Sequence, residues 1–216
     1  MHDTDRSIEA FLDAVASAAV APAGGTVVAV VGAAGAALCE MACVHTLRAD
    51  EIPRSEHPLG PVRSELERRR EGLLTLADAD ARVVDAAFGS AGDDGVTDGK
   101  PADGRERRIL KRTIGIPLTI AESCGTVIEL GASVIDGATH GVVVDAWAGL
   151  SIARAALEAA AFTVRSNLAE AVDPRFDDRI RTRLAETEHA AATVFARITD
   201  DDTFDPSGTR SDPINR

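Results

Sequence analysis

Tyrosine is absent from this chain, and all aromatic residues together make up 3% of it. The core must therefore be filled by small aliphatic side chains, which implies closely approaching backbones. Lysine is nearly absent too. Lys100 and Lys111 are the only two, and the other basic residues are arginines. With a formal net charge of −12, the chain lacks the basic footprint that phosphate backbones require, so nucleic acid is excluded as an expected partner. Many acids, few lysines and small core residues together suggest a salt-adapted protein. Cysteine is scarce as well, with Cys39, Cys43 and Cys124. Cys39 and Cys43 lie four apart on an apolar helix and share a face. Without a second pair or nearby histidines they make a poor zinc site, and burial in the core is expected. No metal is expected. The N-terminal "MHDTDRS" is the wrong flank for a signal peptide, so the expected location is cytoplasmic with reduced thiols. The longest apolar run, Val27 to Cys39, stops at Glu40 after thirteen residues, short of the ~20 of a membrane span.

The chain does contain helical periodicity. At 216 residues there is material for one sizeable core. Ile8, Phe11, Leu12 and Val15 recur at helical spacing, with Asp5 as N-cap. Pro22 ends that helix, Gly24 and Gly25 form a turn, and a second helix runs from about Thr26 to His45. Its Gly32 and Gly35 allow close approach of another backbone. Leu66, Leu73, Leu74, Leu76, Val83, Val84 and Phe88 mark a third helix over about 62–88. A Gly/Asp-rich loop follows. A fourth helix starts near Arg105 and is kinked or split by Pro117. Gly137 to Gly141 form a turn, a fifth helix spans about 143–171, and Pro174 opens a last one ending near Thr199. No segment alternates with period two. The expected class is all-α, an up-and-down bundle of five to seven helices, with 1–199 one domain and 200–216 an acidic disordered tail. Long Ala/Gly-rich helices of this kind also suit a homodimer.

Chemistry has a few places to reside. The turn "APAGGT", with Pro22, Gly24, Gly25 and Thr26, opens a helix whose first N–H groups lack intrahelical partners, and the helix dipole adds partial positive charge there. Such an end can hold a carboxylate, a phosphate or a polar ring edge. It is no P-loop, since GxxxxGK[ST] is missing. Asp145 interrupts the apolar "HGVVVDAWAGL"; a partly buried carboxylate there can act as general acid or base, or simply meet the helix dipole. "LADADARVVDAAF" carries Asp78, Asp80 and Asp85; Asp78 and Asp85 share a face and Asp80 points elsewhere. His45 and His140 each sit near a helix end.

Four stretches in order resemble the cyclodeaminase/cyclohydrolase family, which includes the C-terminal domain of formiminotransferase-cyclodeaminase and stand-alone bacterial methenyltetrahydrofolate cyclohydrolases. They are "SIEAFLDAVASAAVAPAGGTVVAVVGAAGAALCEMACVHT", "LLTLADADARVVDAAF", "RRILKRTIGIPLTIAES" and "VVVDAWAGLSIARAALEAAAFTVRSNLAEAVDPRF". The resemblance covers roughly residues 7 to 195. It implies an all-α dimer with a tetrahydrofolate derivative bound between subunits and no metal. Two reactions are implied: hydrolysis of 5,10-methenyltetrahydrofolate to 10-formyltetrahydrofolate, or cyclisation of 5-formiminotetrahydrofolate with release of ammonia. Both pass through a tetrahedral carbon bridging N5 and N10. The resemblance makes Asp145, with Asp80, the candidate proton shuttle. Pro22, Gly24, Gly25, Thr26, His45, Arg48, His140 and Asn167 are the candidate folate contacts. The chain departs from the family at Ala23, where a first glycine is usual, and at Thr163, where an asparagine is usual. A lysine expected after Phe88 is missing, with Lys100 in the loop beyond. The cyclohydrolase is the leading reading, the cyclodeaminase the second, and a non-catalytic ligand-binding relative the third.

Overall fold

The computed structural model describes residues 3–49, 53, 55, 57–88, 104–168 and 173–200, and among these it forms six α-helices and one short 3-10 turn. After the 3-10 turn Asp3–Asp5, the helices are α1 (Ile8–Val15), α2 (Gly24–Ala49), α3 (Leu59–Phe88), α4 (Gly104–Gly137), α5 (His140–Leu168) and α6 (Pro174–Asp200). The expected class is found, with no strand among the described residues. The Gly/Asp-rich loop with Lys100, and the tail expected beyond 200, lie outside those residues.

Boundaries moved for local reasons. Ser7, not Asp5, caps α1, its hydroxyl accepting from the Ala10 N–H at 3.2 Å. The glycine turn is itself the first turn of α2, after a cis Ala21–Pro22 bond. His57 starts α3 by accepting the Leu59 N–H on Nδ1 at 3.0 Å. Pro117 does not split α4, which continues through it. α2 reaches 26 residues, longer than expected, so α2 and part of α4 are long and apolar enough to cross a membrane by length and composition. In the fold both are core helices, and Ala29, Ala36, Cys39 and Ala42 of α2 have no exposed surface.

The packing is an antiparallel ring, α2–α3–α4–α5, closed by α5 against α2. Small residues set its closest approach, as the scarcity of aromatics requires. A Cβ on Gly35 would lie 2.6 Å from the Gly149 carbonyl oxygen, and one on Gly149 would lie 2.6 Å from the Gly35 oxygen. Gly32 meets side chains, not backbone: Cys124 Sγ and Leu73. All three cysteines are free and buried, and burial pushes each thiol up to about 12. Glu40, the single acid of α2, is drawn to Arg70 of α3 at 3.0 Å, with Arg63 at 3.9 Å. Outside the ring, α6 lies along α4 in the same direction, joined by Arg183–Glu122 at 2.8 Å and Arg197–Asp136 at 3.1 Å.

Because neighbours in the ring run antiparallel, the bundle has two distinct ends. One gathers the start of α2, the end of α3, the start of α4 and the end of α5. The other gathers the end of α2 and the start of α5, where the Thr139 N–H meets Thr46 Oγ1 at 3.2 Å.

Candidate functional site

A cavity of about 890 Å³ opens at the first of these ends. Its walls are largely apolar: Val83, Val84 and Phe88 of α3 face Ile109, Leu110 and Pro117 of α4. Its polar side chains are Asp80, Thr113, Thr163 and Asn167, and Gly24 and Gly25 form one edge.

Asp80 comes from the last third of α3 and is 6% exposed. Its Oδ2 accepts the Thr26 hydroxyl at 2.9 Å, and the Thr26 backbone N–H also bonds to the carboxylate. The fit requires Gly25, since a Cβ there would lie 2.4 Å from Asp80 Oδ1. The anion-binding end of α2 is therefore occupied by a carboxylate of the same chain. Burial raises the Asp80 pKa above its ordinary value, and the Thr26 hydrogen bonds pull it part of the way back. A carboxyl group so placed, at a cavity wall and with its pKa raised, suits acid–base work.

On the opposite wall, Asn167 donates from Nδ2 to the Thr113 carbonyl oxygen at 2.6 Å. Thr113 and Pro117 were not anticipated as site residues. The signal was present in the sequence: a proline inside a helix leaves the carbonyl four residues earlier without its donor, so some side chain must approach Thr113.

The remaining sequence candidates are placed as follows. Pro22 is buried beneath the turn that borders the cavity. Asp78 is engaged with the 3-10 turn, accepting the Thr4 hydroxyl at 3.2 Å, and Asp85 is exposed. His45 and Arg48 are exposed near the far end of α2, with His45 about 30 Å from Gly25 along the helix. His140 opens α5 at that same far end, and its side chain lies outside the described set. Asp145 is half-buried on α5, about 33 Å along the helix from Asn167. The structure thus brings Gly24, Gly25, Thr26, Asp80 and Asn167 together. It leaves Asp145, His45, Arg48 and His140 at the other end of the same chain. No group of three or more His, Cys, Asp or Glu side chains among the described residues is placed to share a metal ion.

A family model described as formiminotransferase-cyclodeaminase matches residues 7–186. The chain belongs to that family. It is 33% identical over 194 residues to a methenyltetrahydrofolate cyclohydrolase of Methylorubrum extorquens, covering 89% of this chain and 92% of that protein. It is 29% identical over 204 residues to the formimidoyltransferase-cyclodeaminase of Rattus norvegicus, covering 90% of this chain but 36% of that longer protein. The crystal structure of formiminotetrahydrofolate cyclodeaminase from Thermotoga maritima superimposes with a TM-score of 0.78 at 20% identity, over 91% of this chain and 96% of that one. At that identity the likeness establishes the helical fold shared within the formiminotransferase-cyclodeaminase family.

Proposed function

We propose that this chain is a folate one-carbon enzyme that hydrolyses 5,10-methenyltetrahydrofolate to 10-formyltetrahydrofolate, with Asp80 moving the proton. The observation that carries the reading is a buried carboxyl group of raised pKa at the wall of a mainly apolar cavity large enough for a pterin. It is supported by the cyclohydrolase relative, which matches over nearly its whole length. The Asp80 carboxylate takes a proton from water as its oxygen bonds to the methenyl carbon. The resulting tetrahedral carbon bridges N5 and N10. As its bond to N5 breaks, Asp80 returns that proton to N5. The carbinol oxygen loses its own proton to solvent and becomes the formyl oxygen on N10.

The dimer and Asp145 enter this reading together. Within one chain Asp145 is too far from Asp80 to serve the same carbon. A second copy packed antiparallel would bring an Asp145 toward this cavity. Val31 on α2 and Val144 and Phe162 on α5, all exposed, offer apolar surface for such packing.

The test is the decay of 5,10-methenyltetrahydrofolate absorbance with purified protein in high potassium chloride. Wild type should accelerate the decay, and Asp80→Asn should remove the acceleration while the helical circular dichroism persists. A fully active Asp80→Asn would overturn the assignment. Ammonia release from 5-formiminotetrahydrofolate is the second assay, since the rat relative is named a cyclodeaminase and that chemistry uses the same bridging carbon. Silence of the folded protein in both assays would leave a ligand-binding relative.

A further inference from the structure

We infer that Asn167 is a specificity-determining residue of the cavity, its amide locked so that Oδ1 is presented as an acceptor to an N–H edge of the bound ring. This rests on the folate reading above and adds to it which edge of the ligand is read and by what.

The lock begins with Pro117. Inside α4 it has no N–H to return to the Thr113 carbonyl, four residues earlier. Asn167 of α5 supplies the missing donor, Nδ2 to Thr113 O at 2.6 Å. A carbonyl oxygen only accepts, so turning the amide over would set two oxygens against each other. The Asn167 Oδ1 is therefore fixed on the side away from α4's backbone, in a side chain that lines the cavity.

The other polar side chains of the cavity have spent their protons in the same way. The Thr113 hydroxyl donates to the Leu110 carbonyl at 2.8 Å and the Thr163 hydroxyl to the Ala159 carbonyl at 3.1 Å. Asp80 accepts on both counts from Thr26. Apart from the Gly24 and Gly25 backbone at one edge and the second Nδ2–H of Asn167, the polar side chains of these walls show a ligand lone pairs and negative charge. The complementary ligand is rich in N–H donors, and in a reduced pterin those are concentrated on the 2-amino-pyrimidine edge. A site built to accept a hydrogen bond discriminates strongly against an analogue lacking the donor, because its buried acceptor is left unpaired.

The experiment compares kcat and KM for 5,10-methenyltetrahydrofolate and its 2-desamino-2-methyl counterpart. Wild type should prefer the amino substrate by about tenfold or more in kcat/KM, carried mainly by KM. Asn167→Leu should lose most of that preference. It also strands the Thr113 carbonyl and can fail to fold, so the double variant Pro117→Ala, Asn167→Leu is measured beside it. There the backbone N–H restored at position 117 takes the Thr113 carbonyl, so thermal stability should return while the preference stays lost. Were the preference to return together with stability, Asn167 would be only a brace for α4 and the inference would be wrong. Equal use of both substrates by wild type would also sink it, leaving the folate reading intact. A wild type that turns over neither substrate would remove both.

Discussion

At the scale of single residues, the cavity depends on one missing methyl group. Gly25 leaves room for the Asp80 carboxylate against the first turn of α2, and Gly25→Ala would place a carbon 2.4 Å from Oδ1. The carboxylate must then leave Thr26, so turnover should fall by about the hundredfold associated with displacing a catalytic group by an ångström. Steady-state kinetics on a variant with unchanged circular dichroism checks this. The pH dependence follows from the raised pKa of Asp80. If the carboxylate is the base, kcat/KM should fall on the acid side at a pH above the ordinary aspartate value of 3.8, and an active Asp80→Glu should move that limb. The same shift acts on stability. A folded pKa above the unfolded one means the folded state holds the proton more tightly. The contribution of Asp80 is therefore full below 3.8 and is lost as pH rises through its raised folded value. Acid denaturation curves of wild type and Asp80→Asn should diverge in that window and run parallel above it. At the cysteines, thiols pushed up to about 12 by burial should resist a thiol-reactive probe until the protein unfolds. Rapid labelling of native protein would contradict their placement.

At the scale of elements, glycines that look alike in the sequence do different things. Gly35 and Gly149 let α2 and α5 touch backbone to backbone, so Gly35→Ala should destabilise by about 1–3 kcal/mol as the helices are forced apart. Gly72, exposed in the middle of α3, has nothing within 4 Å of a built Cβ. There Ala removes only the backbone entropy penalty, and Gly72→Ala should stabilise by about 0.5–1 kcal/mol. Chemical denaturation of the two variants decides this, and the opposite signs are the point. The α4 proline belongs to the same scale. Its position reads as a break from sequence, yet the helix continues because Asn167, on another element, completes the hydrogen bond that Pro117 cannot make. α6 is held differently. Its arginine pairs to Glu122 and Asp136 are partly solvated, so Arg183→Ala should cost no more than about 1 kcal/mol.

At the scale of the whole molecule, the antiparallel ring separates the sequence candidates into two groups about 30 Å apart, judged from helix rise. A single chain unites Asp80 with Asn167 and keeps Asp145 away. The shared-site reading therefore makes a prediction that no single chain could meet. Asp80→Asn and Asp145→Asn proteins, each inactive alone, should regain about a quarter of wild-type sites when unfolded, mixed and refolded together, because half the dimers pair the two intact aspartates once. No recovery in a verified mixed dimer would confine the chemistry to the Asp80 end. Sedimentation of wild type tests the dimer itself.

The sequence determined the helices. Apolar residues at helical spacing, with glycine, proline and capping residues between them, leave few alternatives for a chain so poor in aromatics, and the small residues of α2 already specified close packing. The quoted motifs also carried the family, and they placed Asp80 and Asn167 among the residues to watch. Tertiary structure decided which of those residues meet. Helical periodicity states which face a side chain occupies but not which end of a neighbouring helix it reaches, and antiparallel packing reverses that for every connection. In the sequence Asp80, one of three aspartates in its helix, and Asp145, the acid in an apolar run, carry equal claims to the chemistry. One is buried against the start of α2, the other stands half-exposed at the opposite end, because the direction of α5 puts its last turn, and not its first, beside Gly25.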